Sequence, residues 1–154
     1  MTTPNKERWF DHFKVGEVFE FGDCLLEEAD IVAFARQFDP QPFHIDADAA
    51  ARSIFGGLIA SGWHTTALMM RMMVDHFISP DSSMGSPGMD EVRWLRPVRP
   101  GDRLRVRLRI AAVKASTSKP DRGVVHEELE VLNQHNDVVM TCRGMGIYRR
   151  EPTL

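Results

Sequence analysis

The chain has 154 residues, of which 43% are hydrophobic and 27% charged, and its formal net charge is −3. A chain of this length and balance can bury one hydrophobic core without a disulfide or a metal, so we predict a single domain over residues 1–154. The slight acidic excess argues against nucleic-acid binding, and the isolated cysteines, Cys24 and Cys142, have the spacing of neither a disulfide framework nor a zinc site.

The N-terminal segment, from Met1 to Phe13, has no feature of a targeting sequence. It lacks the apolar core of a signal peptide and carries acidic residues, which transit peptides avoid. No membrane span is predicted either, because Arg71, Asp75 and two histidines interrupt the longest apolar pattern. We therefore expect a cytoplasmic protein with no membrane partner.

The first half of the chain is predicted to contain a strand and two helices. Strand-like stretches lie within residues 15–28. Apolar residues then recur at helical spacing over residues 28–38, and Pro40 ends this helix just before or at Asp39. A second, short helix is predicted over residues 46–54, because the acidic side chains at its beginning suit the positive end of a helix.

The longest apolar helical pattern follows two glycines and ends near Phe77, and Ser61 or a neighbour is expected to cap it. One face of this helix is predicted to be apolar and buried, and a narrower face to be more polar. The apolar stripe comprises Trp63, Ala67, Met70, Val74 and Phe77, widened by Met69, Met72 and Met73, and the polar one comprises His64, Leu68, Arg71 and Asp75.

From Asp90 onward the period of the pattern changes to two, which is typical of antiparallel strands with one buried face. The clearest example is R-L-R-V-R-L-R-I at residues 103–110, where arginines alternate with aliphatic residues. Turn signals at residues 119–123 and 133–137 separate further strands, so about four strands follow the long helix. The predicted class is α+β, with one long apolar helix wrapped by an antiparallel sheet.

The segment F-D-P-Q-P-F-H-I, residues 38–45, sets an acid and an imidazole five residues apart. Pro40 and Pro42 fix their own φ angles and favour extended conformations before them, so neither a regular helix nor a central strand is expected here. Such stiffening could hold Asp39 and His44 at a set distance, but the same pattern also describes an ordinary turn. On this segment alone, both interpretations stay open.

Three motifs together resemble the MaoC-like dehydratase family, which includes the (R)-specific enoyl-CoA hydratases. They are D-P-Q-P-F-H at residues 39–44, G-G-L-I-A-S-G-W at residues 56–63 and R-P-V-R-P-G-D at residues 96–102. The resemblance extends from about Phe13 to Tyr148, and its most specific element is the D-x-N-P-x-H hydratase motif. It implies a hotdog fold, in which a curved antiparallel sheet wraps the central helix, and a homodimer with the acyl-thioester site at the subunit interface.

The resemblance also implies an activity and its residues. Relatives add water reversibly to an α,β-unsaturated acyl-CoA thioester, and they need no cofactor beyond the coenzyme A that the substrate carries. Asp39 and His44 match the catalytic pair, and Gly62 matches the glycine whose N–H faces the thioester carbonyl. Gln41 replaces the motif's asparagine and Ser61 replaces a histidine of many relatives, so these two candidate substrate-binding residues leave the acyl group open.

Several arginines are candidates for contact with the coenzyme A phosphates. Those around W-L-R-P-V-R-P, namely Arg93, Arg96 and Arg99, are preferred. The alternating arginines over residues 103–109 are better explained by cross-strand ion pairs, because acidic residues alternate on the next strand.

Two other functions stay open. A hotdog thioesterase would ordinarily place a catalytic carboxylate on the central helix, where Asp75 is the candidate, although Asp75 is also spaced to pair with Arg71. A non-catalytic acyl-thioester binder is the second, and the intact Asp39 and His44 argue against it. A metal site at His44 and the acidic residues after it is disfavoured, because the helix dipole explains those carboxylates.

Overall fold

The computed structural model describes residues 7–154, so the first six residues of the predicted domain lie outside it. Its strands are β1 (Val18–Leu25), β2 (Met89–Trp94), β3 (Arg103–Ala115), β4 (Arg122–Leu132) and β5 (Val138–Arg149). They form one antiparallel sheet in the order β1-β3-β4-β5-β2, which leaves β1 and β2 at its edges. The predicted early strand and the four later strands are confirmed.

Four α-helices accompany the sheet: α1 (Glu28–Phe38), α2 (Pro42–Ile45), α3 (Ala47–Ala51) and α4 (Gly62–His76). The longest, α4, packs against β1 and β3 on what we call the inner face of the sheet. This is the predicted α+β arrangement, a hotdog fold in which the curved sheet wraps the central helix. Within residues 7–154, every helix is too short or too polar for a membrane span.

The core lies between α4 and the inner face, and the alternation of β3 explains how. The four aliphatic residues of R-L-R-V-R-L-R-I are fully buried, and the arginines between them lie on the outer face. Arg107 pairs with Glu130 at 3.0 Å and Arg109 with Glu128 at 2.8 Å across the β3–β4 ladder. The predicted cross-strand ion pairs are present.

The segment after α1 differs from the prediction. Instead of an irregular motif and one helix over residues 46–54, two short helices meet at Asp46. Pro42 is the first residue of α2, where its missing N–H costs no hydrogen bond and its fixed φ suits a helix. The Asp46 carboxylate then caps α3 by accepting from the N–H groups of Asp48 and Ala49. Side-chain capping, rather than the apolar pattern, therefore sets these boundaries.

The predicted buried face of α4 is correct in part. The helix turns Met69, Met72 and Met73 toward the sheet as predicted, together with Thr65 and with His64 from the predicted polar side. Of the predicted stripe, Phe77 is buried, but the other four members lie at the surface of this single chain. We call these exposed apolar residues the α4 stripe: Trp63, Ala67, Met70 and Val74.

One inner-face position of β4 holds an acid. Val125, Glu127, Leu129 and Val131 alternate along the buried side of this strand, and Glu127 is only 4% exposed. Its Oε1 atom has no hydrogen-bond partner among residues 7–154. Burial raises the pKa of Glu127 from 4.5 to about 7. The strand thus carries a group that costs free energy at the place where the pattern calls for an apolar residue.

This pKa shift predicts a pH-dependent stability. Between pH 4.5 and 7, the unfolded chain ionises Glu127 while the folded chain keeps it protonated, so the free energy of unfolding falls across this range. Glu127→Gln lacks the titrating group, and its stability relative to wild type should grow with pH by roughly 2 to 3 kcal/mol. Chemical denaturation of both proteins at several pH values measures the difference, and an identical pH dependence would contradict it.

Candidate active site

A cleft of about 510 Å³ lies beside the beginning of α4. Of the predicted site residues, it brings together Asp39, Gln41, His44, Gly62 and Arg96. Most of its remaining lining is apolar and comes from the α2 region, the chain before α4 and the end of β2: Phe43, Phe55, Ile59, Ala60, Trp63, Thr65, Trp94, Leu95, Pro97, Val98 and Val139.

The ends of two helices position the acid and the imidazole. Asp39 is the C-terminal cap of α1, where its N–H donates to the Ala35 carbonyl at 2.8 Å. His44 lies on α2 and is 5% exposed. The His44 Nε2 and Asp39 Oδ2 atoms are 3.3 Å apart. The two prolines between these residues therefore lie in the turn that joins α1 to α2. This turn brings the Asp39 carboxylate and the His44 ring into contact.

The contact of the other ring nitrogen, Nδ1, decides the tautomer of the neutral imidazole. His44 Nδ1 lies 2.7 Å from the carbonyl oxygen of Ile59. Because a carbonyl oxygen only accepts, we assign the proton to Nδ1, which donates to Ile59. In neutral His44, Nε2 then presents a lone pair toward Asp39. Two acceptors face each other, and a hydrogen-bond donor that reaches both of them would satisfy the site.

The Asp39 carboxylate is held by two side chains. Gln41 Nε2 donates to Oδ1 at 2.7 Å, and Ser61 Oγ donates to Oδ2 at 2.8 Å. Partial burial alone would raise the pKa of Asp39, but these two hydrogen bonds, and His44 when its ring is protonated, outweigh burial and lower the pKa below its ordinary value. Asp39 is therefore ionised at neutral pH.

The two departures from the family motif thus both contact Asp39. Ser61 is fully buried, and besides donating to Asp39 it caps α4 by accepting from the Trp63 N–H at 3.2 Å. The predicted cap is confirmed. Gln41, one methylene longer than asparagine, reaches back to the acid two residues before it. Both residues orient the carboxylate in this structure.

Ser61→Ala tests this orientation. Loss of the hydrogen bond should raise the pKa of Asp39, so the acidic limb of kcat/KM should move to higher pH, and loss of the cap should cost about 1 kcal/mol of stability. Ser82→Ala is the matched control, since this buried serine donates to the Arg8 carbonyl away from the cleft. An unmoved acidic limb in Ser61→Ala would show that Ser61 does not tune Asp39.

Trp94 is a site residue that the sequence did not reveal. Its ring lies against Gly62, the first residue of α4, so closely that a Cβ atom on Gly62 would overlap it. Its Nε1–H donates to Thr66 Oγ1 at 3.2 Å, and the Trp63 ring packs edge-on at 5.0 Å. The only signal in the sequence was a tryptophan at the end of a predicted strand. Its partner, Gly62, lies 32 residues earlier, so no local pattern links the two.

Of the three candidate phosphate-binding arginines, the structure brings Arg96 to the cleft. Arg93 pairs with Thr141, which lies on the outer face of the sheet, so Arg93 points away from the cleft. Arg99 is engaged elsewhere on the rim, where its guanidinium donates to the Phe55 carbonyl at 2.6 Å.

The thioesterase candidate lies apart from this cleft. Asp75 is near the other end of α4 and accepts from Arg71 at 2.9 Å, as its spacing predicts. Among residues 7–154, no group of three or more histidine, cysteine or acidic side chains is arranged to hold a metal. The chemistry that this site offers is proton transfer by Asp39 and His44, next to a helix N-terminus.

Comparisons with known proteins show which family this chain resembles. A family model described as "MaoC like domain" matches residues 12–132. The YdeM protein of Bacillus subtilis is 33% identical over 127 residues, which cover 80% of this chain and 86% of that protein. Protein MaoC of Klebsiella aerogenes is 36% identical over 126 residues, which cover 77% of this chain but 36% of that longer protein.

Solved structures extend the similarity to the whole fold. A MaoC-like dehydratase from Rhodospirillum rubrum has a TM-score of 0.88 and 40% identity, covering 95% of this chain and 99% of that one. The R-hydratase PhaJ1 from Pseudomonas aeruginosa has a TM-score of 0.75 and 28% identity, covering 95% and 88%.

Proposed function

We propose that this chain, which belongs to the MaoC-like dehydratase family, adds water reversibly to an α,β-unsaturated acyl-CoA thioester as an (R)-specific enoyl-CoA hydratase. Membership of the family supports the general class of reaction, hydration or dehydration. One observation supports the specific proposal best. The Asp39–His44 pair lines the same cleft as Gly62, the first residue of α4, whose N–H has no helical carbonyl to bind.

Asp39 and His44 would hold the reacting water. Asp39 is ionised, and the Nε2 atom of neutral His44 is an acceptor, so a water molecule beside both donates one hydrogen to each. Its lone pairs are then directed away from the pair and toward a substrate in the cleft. Positioned acid or base catalysis of this kind contributes typically ~10² to 10⁴-fold in rate.

The Gly62 N–H would stabilise the negative charge that develops on the thioester oxygen. As the first residue of α4, Gly62 has no helical carbonyl to bind, and the helix dipole adds positive potential there. The missing side chain makes room for the Trp94 ring, which packs against this end of α4. One such donor is worth about 3 kcal/mol to the transition state.

The proposed reaction conserves atoms and electrons in two steps. The water oxygen bonds to Cβ of the substrate, the C=C π electrons move through Cα to the thioester oxygen, and one water proton passes to the Asp39–His44 pair. The resulting enolate then takes a proton from the pair at Cα. This restores the thioester carbonyl and returns both side chains to their starting state. Arg96, on the cleft wall, is the candidate contact for a coenzyme A phosphate.

We further propose that the active unit is a homodimer in which a second copy covers the α4 stripe. Trp63 is 58% exposed and Val74 is 49% exposed, an unusual state for the apolar face of a central helix. Trp63 also lines the cleft, so a copy packed on this stripe would complete the cleft wall. The edge strand β2, which ends at Trp94, lies at the same side and offers unpaired backbone groups.

Val74→Glu tests the dimer. A carboxylate in the covered stripe should convert the protein to a monomer in light scattering and reduce hydration. His76→Glu is the matched control, because His76 is exposed on the same helix but lies outside the stripe. A wild-type protein that is monomeric and fully active would refute the dimer.

Incubation with crotonyl-CoA tests the function itself. Loss of the enoyl absorbance without release of free thiol is the expected result. Release of thiol would identify a thioesterase instead, and binding without either change would identify a non-catalytic acyl-thioester binder. A panel of enoyl-CoAs of different chain length and branching then defines the acyl group.

A further inference from the structure

A second cavity, of about 280 Å³, opens beside the α4 stripe and contains Glu127. It is distinct from the cleft around Asp39 and His44 and shares no lining residue with it. Its walls are mostly apolar. They are formed by Met70, Met73, Val74 and Ile78 on the helix side, by Ser83, Gly85 and Ser86 in the segment between α4 and β2, by Met89 on β2, and by Leu129, Gly144, Met145, Gly146 and Tyr148 on the sheet.

Two glycines of β5 line this cavity and lie opposite β4. Gly144 lies directly opposite Glu127 in the β4–β5 ladder, and Gly146 lies opposite Val125. A Cβ atom on Gly144 would lie 3.3 Å from Glu127 Oε2 and 3.0 Å from Leu129 Cδ1, which is tighter than ordinary packing. The missing side chain at Gly144 therefore leaves room for the Glu127 carboxyl, which lines the cavity, whereas the Tyr148 ring fills the corresponding space at Gly146.

Nothing within the described chain compensates Glu127. The other glutamates of β4, Glu128 and Glu130, pair with arginines on the outer face, whereas Glu127 Oε1 has no partner among residues 7–154. The titratable groups that share its surroundings, Cys142 and Tyr148, are themselves buried and bring no positive charge. A buried acceptor without a hydrogen-bond partner lowers the stability of the folded protein. A ligand that supplies a donor would therefore gain its own contacts and also remove this cost.

We infer that this cavity binds an apolar chain that carries a hydrogen-bond donor, a hydroxyl or an amino group, and that Glu127 selects for the donor. The apolar walls accept the chain, and the Glu127 carboxyl, which lines the cavity, accepts from the donor. This inference rests on the proposed function in one respect: the bound apolar chain is then the distal part of a substrate acyl group. The inference then narrows the substrates to acyl thioesters whose chain bears a hydroxyl or an amine.

The experiment uses small probes and needs no turnover. The full-length protein, labelled with ¹⁵N, is titrated at about pH 8.5 with 1-pentanol and separately with butyl methyl ether, its isomer without a donor. Above the pKa of Glu127 the carboxylate can only accept hydrogen bonds. Only 1-pentanol has an O–H group that can donate to it, whereas butyl methyl ether has no donor. We expect 1-pentanol to shift the Gly144 and Gly146 amide signals and to bind roughly 3- to 10-fold more tightly than the ether.

The variants assign this preference to Glu127. In Glu127→Leu both isomers should bind equally, whereas Glu128→Leu, which removes an acid from the outer face of the same strand, should keep the preference. Glu127→Met offers a second apolar variant should leucine disturb the fold. Pentylamine in place of 1-pentanol distinguishes a protonated amine from a hydroxyl, and tighter binding of either one than of the ether supports the inference.

Three results would overturn it: equal binding of the isomers to wild type, binding of neither, or a preference that survives in Glu127→Leu and Glu127→Met. The second would be expected if a side chain of the second copy in the dimer already satisfied Glu127. Because no result depends on catalysis, failure to hydrate crotonyl-CoA would reject the proposed function and leave this inference standing.

Discussion

Asp39→Asn and His44→Gln are each expected to lower the turnover of enoyl-CoA hydration by ~10² to 10⁴-fold. An asparagine in place of Asp39 could still accept from one of the two side chains that hold the carboxylate, but it could not serve as a base. A glutamine in place of His44 would have no titratable nitrogen to exchange the proton that His44 exchanges through Nε2. Both changes remove proton transfer and leave the apolar packing of the cleft in place. The value of kcat should therefore fall strongly, while the free energy of unfolding should change little.

Thermal unfolding is measured beside kcat for each variant. Asp39→Asn should lose some stability, because Gln41 and Ser61 both donate to the carboxylate and an amide presents one acceptor oxygen in its place. Asp75→Asn is the matched control: it removes a carboxylate from the far end of α4 and should leave turnover near wild type. Near-wild-type hydration by either Asp39→Asn or His44→Gln would refute the assignment of the catalytic pair.

Gly62→Val is expected to lower turnover by at least ~10²-fold and also to lower the melting temperature. From helix propensity alone, the change should be tolerated, since valine is the better helix former by a few tenths of a kcal/mol. Gly62 is not among the glycines with positive φ, so backbone strain is not the reason for the expected loss. The reason is Trp94, whose ring occupies the space that a Cβ atom would need.

A double-mutant cycle separates the two effects of this change. In a Trp94→Ala background the ring is gone, so adding Gly62→Val should cost little further stability. Turnover should nevertheless stay low, because the new side chain still crowds the N–H that faces the thioester oxygen. If the double variant hydrated crotonyl-CoA as well as Trp94→Ala alone, the oxyanion donor would lie elsewhere.

Local patterns in the sequence determined much of this protein. The period of two in β3 and the acidic residues of β4 predict a half-buried antiparallel pair with ion pairs on its outer face, and Arg107–Glu130 is such a pair. A polar residue before a long apolar pattern predicts a helix cap, which Ser61 forms. These features depend on residues close in sequence or directly opposite in a ladder, where chain geometry fixes which side chains meet.

The identity of the candidate pair was also available from sequence, through the motif at residues 39–44 and its resemblance to a family. The contact itself was not. The distance of 3.3 Å between Asp39 and His44 depends on how α1 ends and α2 begins, and Pro42 begins a helix where no regular helix was expected. Proline restricts φ, but that restriction is compatible with both outcomes, and only the packing of the segment selects between them.

Tertiary structure alone decided which face of α4 is buried. Apolar residues occupy two sides of this helix, and periodicity relates side chains within a helix without indicating which side meets the sheet. The sheet selects Met69, Met72 and Met73 and leaves the α4 stripe at the surface. The packing of Trp94 on Gly62 and the open cavity at Glu127 have the same origin, because both arise between elements distant in sequence, where no local pattern constrains the contact.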